Sequence, residues 1–219
     1  MKICVLIPAY NEEEAIGSVV EAARKIVPDV VVISDGSTDE TTGRARRRGA
    51  IVIEYQKNRG KGGALKVGFE YALKNNYDAV ITMDADDQHM SEDMPVFISA
   101  ASAPNVGIVA GNRMHNPEGM PLKRLVTNFL MSGIISLICR QKVPDTQCGY
   151  RLIKCDVLKG MKITSENYEI ESELLLRARK SHLKIVSVPI KSVYAGQESL
   201  INPYVDTKRF FIMLFKVMF

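Results

Sequence analysis

Three carboxylates, a carboxamide and an imidazole follow a short apolar run in this sequence. The run, residues 79–83, has the length and composition of a buried strand, and Asp84, Asp86, Asp87, Gln88 and His89 come after it. Asp84 and Asp86 stand two residues apart, so they point to the same side of an extended backbone. Two carboxylates on one side can share a hard divalent cation, Mg²⁺ or Mn²⁺, that also binds substrate phosphates. An isolated Asp-x-Asp is also typical of a polar turn, so the other loops must decide between a metal site and a turn.

Loops rich in Asp, Asn or Gly follow three other predicted strands. The strands are residues 3–7, 30–33 and 51–55, and their loops are residues 8–12, 34–40 and 58–63. Ligands of open α/β sheets bind beyond the carboxyl ends of the strands, so four such loops favour a functional site over a polar turn. Asn11 with Glu14, and Ser37 with Glu40, also have the spacing of helix-capping boxes.

The glycine-rich loop, residues 58–63, matches neither of two common phosphate-binding patterns. Gly60 and Gly62 would need a third small residue where Leu65 stands to form a dinucleotide fingerprint, and the Lys-Ser/Thr pair of a Walker A loop is missing. Free backbone amides together with Lys61 still suit a diphosphate or a sugar hydroxyl, and a plain turn suits the pattern equally well. A helix is expected to begin just after the glycines.

The elements that must position these loops alternate along the chain. A chain of 219 residues with 46% apolar residues can bury the core of one domain. Alternating strand and helix patterns predict an α/β fold with a mostly parallel sheet and helices on both faces. The net charge of +4 is too small to indicate a nucleic-acid partner. The four cysteines form no Cys-x-x-Cys pair, so no zinc site is predicted, and Cys4 inside a strand suits a reduced, cytoplasmic protein.

Two segments, Leu122–Cys139 and Phe210–Phe219, are apolar over most of their length. No run reaches the roughly 18 apolar residues needed to cross a bilayer. The first segment has basic flanks and internal polar residues, which predict either a core helix or an amphipathic helix lying in a membrane surface; we favour the second. The C-terminal segment is expected to pack, to dimerise, to lie on lipid or to continue into a longer hydrophobic tail.

Four motifs, each at the end of a predicted strand, resemble those of family-2 glycosyltransferases. They are Pro8-Ala9-Tyr10-Asn11-Glu12, Asp35-Gly36-Ser37-Thr38-Asp39, Asn58-Arg59-Gly60-Lys61-Gly62 and Asp84-Ala85-Asp86-Asp87-Gln88-His89. Within that family the chain is most similar to polyprenyl-phosphate sugar synthases, the group of dolichyl-phosphate mannose synthase. The resemblance implies a GT-A (Rossmann-like) domain over residues 1–209. The apolar composition of residues 210–219 predicts a C-terminal helix that is interfacial or truncated. The resemblance further implies a nucleoside-diphosphate sugar donor, a divalent metal and inversion at the anomeric carbon.

The resemblance also implies which residues bind the donor and the metal. The predicted donor-binding residues are Pro8, Ala9, Tyr10, Glu12, Asp35, Lys61 and Asp84. Asp35 would contact the base or ribose, and Asp84 would face the donor sugar or ribose. Asp86 and Gln88 would hold Mg²⁺ or Mn²⁺ on the diphosphate.

The resemblance implies that two arginines stabilise the negative charge of phosphate groups. Arg113, in a Gly-x-Arg motif, and Arg124 would steady the diphosphate or the acceptor phosphate, and with Asp86 they form the predicted catalytic set. Breaking a sugar–diphosphate bond requires stabilisation of the departing pyrophosphate, which a metal, Arg or Lys supplies. A lipid phosphate is already an anion at neutral pH, so no general base is required. Such an acceptor lies near a bilayer, which is why interfacial placement is favoured for residues 122–139.

Three stretches depart from the family pattern or carry no assigned role. Ser34 stands where many relatives have an acidic residue, and Glu198 stands where many have a basic one. Glu198 precedes residues 199–209, which resemble the loop and helix that close over the donor. The loop 143–151 is dense in polar groups that the motifs do not explain.

The predicted partners are GDP-mannose or a UDP-sugar, a polyprenyl phosphate and a membrane surface. The C-terminal apolar segment could instead form a dimer contact. No nucleic-acid partner is predicted. The predicted location is peripheral, on the cytoplasmic face of a membrane. A phosphatase of the haloacid-dehalogenase type also uses Asp-x-Asp at a strand end, but on its first strand, whereas the motif here follows the fourth. The motifs would also suit a catalytically silent nucleotide-sugar-binding scaffold or a transferase with a non-lipid acceptor.

Overall fold

The computed structural model describes residues 1–191 and 203–218, in which one seven-stranded sheet carries helices on both faces. The strands are β1 (Ile3–Ala9), β2 (Val30–Asp35), β3 (Ile51–Tyr55), β4 (Ala79–Thr82), β5 (Val106–Asn112), β6 (Arg151–Lys154) and β7 (Lys184–Pro189). The helices are α1 (Ile16–Arg24), α2 (Thr41–Arg47), α3 (Gly60–Lys74), α4 (Met94–Ala101), α5 (Leu122–Cys139), α6 (Cys155–Leu158), α7 (Ile170–Ala178) and α8 (Pro203–Met218). The predicted α/β fold is confirmed.

The direction of β6 brings a distant loop to the site. The strand order is β3-β2-β1-β4-β6-β5-β7, and every neighbouring pair is parallel except those that β6 makes with β4 and β5. Because β6 runs antiparallel, its first residue, Arg151, lies opposite Thr82 of β4 and Ala110 of β5. The polar loop before β6 therefore reaches the carboxyl ends of the parallel strands, where ligands of α/β sheets bind.

Alternate residues of the central strands fill two core layers. On β1, Cys4 and Leu6 pack on one side of the sheet, in a cluster with residues of α3 and α7. Val5 and Ile7 pack on the other side, in a cluster with residues of α1 and α4. All four side chains are fully buried, as expected for a strand covered on both faces.

Neither predicted capping box forms, because helices α1 and α2 begin later than expected. They begin at Ile16 and Thr41, without a side-chain cap. Asn11 has a left-handed backbone (φ 54°) and bonds to the neighbouring loop. Its N–H donates to Ser37 Oγ (3.1 Å), and its Oδ1 accepts the Thr38 N–H (2.9 Å). The polar residues predicted as caps instead join the loops after β1 and β2.

The glycine-rich segment is the first turn of α3, not a loop before it. The N–H groups of Gly62 and Gly63 both donate to Glu166 O, at 2.8 and 3.2 Å. A Cβ on Gly62 would lie only 2.7 Å from Ser165 O, so the close approach of these backbones requires glycine there. The prediction of free amides for a diphosphate is therefore wrong at these two positions.

Helix α5 has the predicted bounds, and its buried side is partly polar. Asn128 and Ser132, which interrupt the apolar pattern, are buried, whereas Phe129 and Leu137 are 70% and 80% exposed. The polar side chains turn inward because they bond to the loop before β6; Asn128 Nδ2, for example, donates to Asp145 Oδ1 (2.9 Å). The side facing solvent carries an apolar stripe of Leu122, Val126, Phe129, Leu130 and Leu137.

By length and composition alone, α5 could cross a membrane. Its 18 residues have a mean hydropathy of 1.4, and 28% of them are buried in the domain. The expectation concerned an unbroken apolar run, which polar and basic residues interrupt in α5, whereas the mean hydropathy of the whole helix is high enough for a span. Hydrogen bonds to the loop before β6 nevertheless hold one side of α5 against the domain. The apolar stripe on the other side is the part of α5 that could contact a membrane surface.

Helix α8 packs one side on the domain and exposes the other. Phe210 and Met213 are buried in the cluster that contains α7 residues, whereas Phe211 and Phe215 are 53% and 66% exposed. The predicted boundary between residues 209 and 210 falls inside this helix. The division into two regions stays a prediction. Residues 199–202 of the predicted closing segment, and Glu198 before it, lie outside the described part of the chain.

Candidate active site

A cleft of about 710 Å³ opens at the carboxyl ends of β1, β2 and β4, and its volume is that of a small-molecule site. It is lined by every residue predicted to bind the donor, hold the metal or act in catalysis. These are Pro8, Ala9, Tyr10, Glu12, Asp35, Lys61, Asp84, Asp86, Gln88, Arg113 and Arg124. The fold thus brings together residues from distant loops, and the role of each stays a prediction.

Asp84 is held by an ion pair inside the cleft. Lys61 Nζ lies 2.5 Å from Asp84 Oδ1 and 3.0 Å from Glu171 Oε1. Burial opposes the charge of Asp84, but the Lys61 ammonium outweighs it and holds the pKa of Asp84 below its usual range. Burial likewise opposes the charge of Lys61, but the two carboxylates raise its pKa. Lys61 and Asp84 are therefore both charged at neutral pH.

Asp86 and Glu12 are carboxylates of the cleft that lie close to one another and to Asp84. Asp86 Oδ1 accepts the N–H of Gln88 (3.1 Å), which fixes the turn after β4. Burial and then the charge of Asp84 raise the pKa of Asp86. Burial, followed by Asp86 and Asp84, raises the pKa of Glu12 to about 7. Crowded carboxylates of this kind fit a hard divalent cation, which would relieve their repulsion.

The protein side chains alone do not enclose such a cation. In the two described ranges, no group of three or more His, Cys, Asp or Glu side chains is arranged to hold a metal ion. Mg²⁺ is commonly bound by one or two carboxylates together with substrate phosphates and water. Asp86 and Gln88 fit that mode, in which oxygens of the ligand complete the coordination.

Glu12 makes the stability of the metal-free protein depend on pH. Its pKa is about 7 in the folded protein against 4.5 for the free side chain. The folded state therefore binds more protons between these values, and the free energy of unfolding falls as the pH rises from about 5 to about 7. We expect the urea midpoint to fall over this range in wild type and to fall less in Glu12→Gln.

The matched control for this measurement is Glu14→Gln, which changes an exposed carboxylate outside the cleft. Mn²⁺ should raise the midpoint most above pH 7, where Glu12 is ionised. A Glu12→Gln protein with the same pH slope as wild type would show that Glu12 is not the titrating group.

His89 supports the turn after β4 as a neutral side chain. Its Nδ1 accepts the N–H of Asp84 (3.1 Å), and its ring stacks on Tyr150 with centroids 4.9 Å apart. Burial lowers the pKa of His89 to about 4, although Asp84 opposes this shift. Because Nδ1 is an acceptor, the proton of the neutral ring lies on Nε2.

Arg113 is buried and fixed by a partner that the sequence did not reveal. Asp145 accepts from Arg113 Nε (2.8 Å), Nη2 (3.0 Å) and the backbone N–H (3.1 Å). Asn128 of α5 donates to the same carboxylate. Burial opposes the charge of Asp145, but Arg113 holds the pKa of this carboxyl below its usual range. The guanidinium is thus pre-positioned at the cleft.

Asp35 organises the wall of the cleft. Its side chain is 2% exposed, and its Oδ1 accepts the N–H of Arg59 (2.8 Å) just before α3. Burial raises the pKa of Asp35, although the backbone N–H groups of Arg59 and Gly60 oppose the shift. The hydrogen bond from Arg59 orients the Asp35 carboxylate, and the predicted contact with the base or ribose would use the carboxylate in this orientation.

Sequence reasoning missed Asp145, Gly149, Arg151 and Glu171. The first three belong to the polar loop before β6 or to its first residue, and their only signal was the polarity of that loop. Glu171 carried no local signal, because its partner Lys61 is distant in sequence and only the tertiary fold brings α7 beside α3.

The chain is similar to a known protein family and to several named proteins. The model of glycosyl transferase family 2 matches residues 4–161. The chain is 32% identical over 215 residues to a UDP-N-acetylglucosamine–dolichyl-phosphate N-acetylglucosaminyltransferase of Methanococcus voltae, covering 88% of this chain and 86% of the relative. It is 30% identical over 207 residues to an undecaprenyl-phosphate mannosyltransferase of Micrococcus luteus, covering 88% of this chain and 84% of the relative.

A solved structure has the same fold. It is glucosyl-3-phosphoglycerate synthase from Mycobacterium tuberculosis in complex with Mn²⁺, UDP-glucose and phosphoglyceric acid. The TM-score is 0.76 at 19% sequence identity, with 99% of this chain and 79% of that chain covered. The likeness confirms the predicted GT-A architecture.

Proposed function

The chain belongs to glycosyl transferase family 2, and from that premise we propose that it moves a sugar from a nucleoside-diphosphate sugar to a polyprenyl phosphate, with inversion at the anomeric carbon. The observation that carries the proposal is a cleft lined by all predicted donor, metal and catalytic residues. The two relatives named for dolichyl and undecaprenyl phosphate support this class of acceptor. Their names differ in the sugar transferred, so GDP-mannose and UDP-sugars are both candidate donors.

The donor half of the cleft suits a leaving diphosphate. Asp86 and Gln88 would hold Mg²⁺ or Mn²⁺, which supplies positive charge for the departing pyrophosphate when bound. Because Asp145 fixes the Arg113 guanidinium, Arg113 can stabilise phosphate charge with little reorganisation. Asp35 and Glu12 would bind the nucleoside and take no part in bond breaking.

The acceptor half lies at the start of α5. Lys123, Arg124 and Thr127 line the cleft there, and the apolar stripe of α5 begins beside them at Leu122. A polyprenyl phosphate could therefore place its anionic head near Lys123 and Arg124 and its hydrocarbon along the stripe. We propose that this surface lies on the cytoplasmic face of a membrane.

An assay of purified protein with Mn²⁺ tests the function. GDP-mannose, UDP-glucose and UDP-N-acetylglucosamine are offered in turn with a short polyprenyl phosphate, and mass spectrometry detects the lipid-linked sugar. Transfer from one donor that stops with chelator is the expected result. Donor binding without turnover would support the scaffold, transfer to a soluble acceptor alone would support a non-lipid acceptor, and cleavage of a simple phosphomonoester would support a phosphatase.

Membrane binding is predicted to be reversible and sensitive to salt. Basic residues near an anionic leaflet contribute about 1 kcal/mol each, in addition to the buried apolar area. Flotation with anionic liposomes should therefore weaken at high salt, in the double variant Lys123→Glu/Arg140→Glu, and in Phe129→Gln, which interrupts the apolar stripe.

The control variant is Arg47→Glu, which reverses an exposed charge on α2, away from the stripe. It should float like wild type. A wild-type protein that stays at the bottom of the gradient at low salt contradicts the membrane proposal. If it is also dimeric, the exposed side of α8, which includes Phe211 and Phe215, becomes the candidate dimer seam.

A further inference from the structure

We propose that Glu171 and Gly149 are positioning residues that hold Lys61 on Asp84, so that Lys61 serves the Asp84 carboxylate and does not contact the donor diphosphate. The inference rests on the proposed function, in which Asp84 faces the donor. It departs from the sequence-based expectation that Lys61 itself binds the nucleotide sugar.

The charges around Lys61 favour this assignment. Lys61 Nζ lies between Asp84 Oδ1 (2.5 Å) and Glu171 Oε1 (3.0 Å), and the Lys61 side chain is only 15% exposed. Arg151 Nε also lies 3.5 Å from Glu171 Oε2. Two carboxylates and two cations thus form one largely buried cluster with no net charge. Such a group offers no net attraction to a diphosphate, whereas it fixes the position of Asp84 on the cleft.

Gly149 provides the space that this ion-pair group occupies. A Cβ added to Gly149 would lie 2.6 Å from Lys61 Nζ and 3.1 Å from both Asp84 Oδ1 and Glu171 Oε1. Its carbonyl accepts the hydroxyl of Thr82 (2.7 Å), at the end of the strand that precedes Asp84. A methyl group at position 149 would therefore force the flexible end of Lys61 to move.

Arg151 anchors both positioning residues from behind. It is fully buried, and its Nη1 donates to the Glu171 carbonyl. Its Nε donates to Cys148 O and its Nη2 to Thr146 O, both at 2.8 Å. One guanidinium thus fixes the start of α7 and the loop that contains Gly149, so Lys61 is held between two rigid segments.

Amine labelling of the ligand-free protein tests the arrangement directly. An acylating reagent is applied, and mass spectrometry compares the labelling rate of Lys61 with that of the exposed Lys159. Glu171→Gln removes a charge and keeps the shape, whereas Gly149→Ala adds a methyl and no charge; Gly149 has no left-handed φ that alanine would strain. Weakening this buried ion pair should speed the labelling of Lys61 at least about tenfold in each variant. Unchanged rates in both folded variants overturn the proposal.

A double-mutant cycle tests whether Lys61 acts through Asp84. Titration calorimetry measures the affinity for a nucleoside-diphosphate sugar with Mn²⁺ in wild type, Lys61→Met, Asp84→Asn and the double variant. The expected result is a loss of about tenfold for Lys61→Met alone and less than about twofold when Asp84→Asn is already present. Equal losses in both backgrounds would mean that Lys61 contacts the donor independently, and would overturn the proposal. If wild type binds no donor, the proposed function fails, while the labelling rates still decide the arrangement of Lys61.

Discussion

Replacing Asp86 with alanine is expected to lower kcat/KM for sugar transfer by about a thousandfold or more. Asp86 is proposed to hold the metal, so its loss should remove several kcal/mol of charge stabilisation from the transition state, and about 1.4 kcal/mol corresponds to a factor of ten. The side chain lies in the turn after β4, outside the core clusters, so the fold should persist. Steady-state kinetics with and without chelator measure the loss, and circular dichroism checks the fold.

Asp87 offers a control beside it. Asp87 is exposed, lies outside the cleft and has a left-handed backbone (φ 61°). Asparagine tolerates that backbone better than alanine, so Asp87→Asn is the control and should transfer sugar nearly as fast as wild type. Near wild-type transfer by Asp86→Ala, or by wild type in excess chelator, would exclude Asp86 as a metal ligand for this reaction.

Removing Asp145 is expected to destabilise the whole protein. Asp145→Ala removes the carboxylate that pairs with the buried Arg113 guanidinium, and breaking a buried ion pair from one side costs about 3–5 kcal/mol. Urea denaturation at neutral pH should report a loss of this size. Asp156→Ala is the control, because Asp156 pairs with Lys159 on the surface and its loss should cost no more than about 1 kcal/mol.

The Asp145 effect should also depend on pH. Arg113 holds the pKa of Asp145 below its usual range in the folded protein. The stabilisation is therefore fully present above the unfolded pKa of about 3.9 and is lost as the pH falls through the lower folded value. The difference between wild type and Asp145→Ala should shrink below about pH 4. A loss under about 1 kcal/mol at neutral pH would mean that Arg113 needs no carboxylate partner.

Local sequence patterns were enough to locate the first four strands, the loops after them and helix α5. The apolar runs that became β1, β2 and β4 end abruptly in polar residues, and parallel strands place such ends along one edge of the sheet. The resemblance to family-2 glycosyltransferases predicted residues as far apart as Pro8 and Arg124 as one set, and they are found around one cleft. The bounds of α5 followed from its apolar composition.

Helix beginnings were predicted poorly, because side-chain spacing does not reveal which partner a polar group chooses. Asn11 has the spacing of a cap, but it bonds to the loop after β2. Gly60 and Gly62 resemble a loop, but the carbonyl of Glu166 draws that segment into the first turn of α3. Both outcomes depend on contacts between segments that meet only in the folded chain.

The partners of the site residues were decided by tertiary structure alone. Arg113 and Asp145 pair because β6 runs antiparallel between β4 and β5, which returns the loop before it to the edge of the sheet that carries the cleft. Glu171 reaches Lys61 only because α7 packs on the same face of the sheet as α3. Periodicity records which side of an element is buried, but it carries no information on strand order, strand direction or the neighbour that a buried charge will meet. The sequence therefore determined which residues surround the cleft, and the fold determined which buried charges hold them in place.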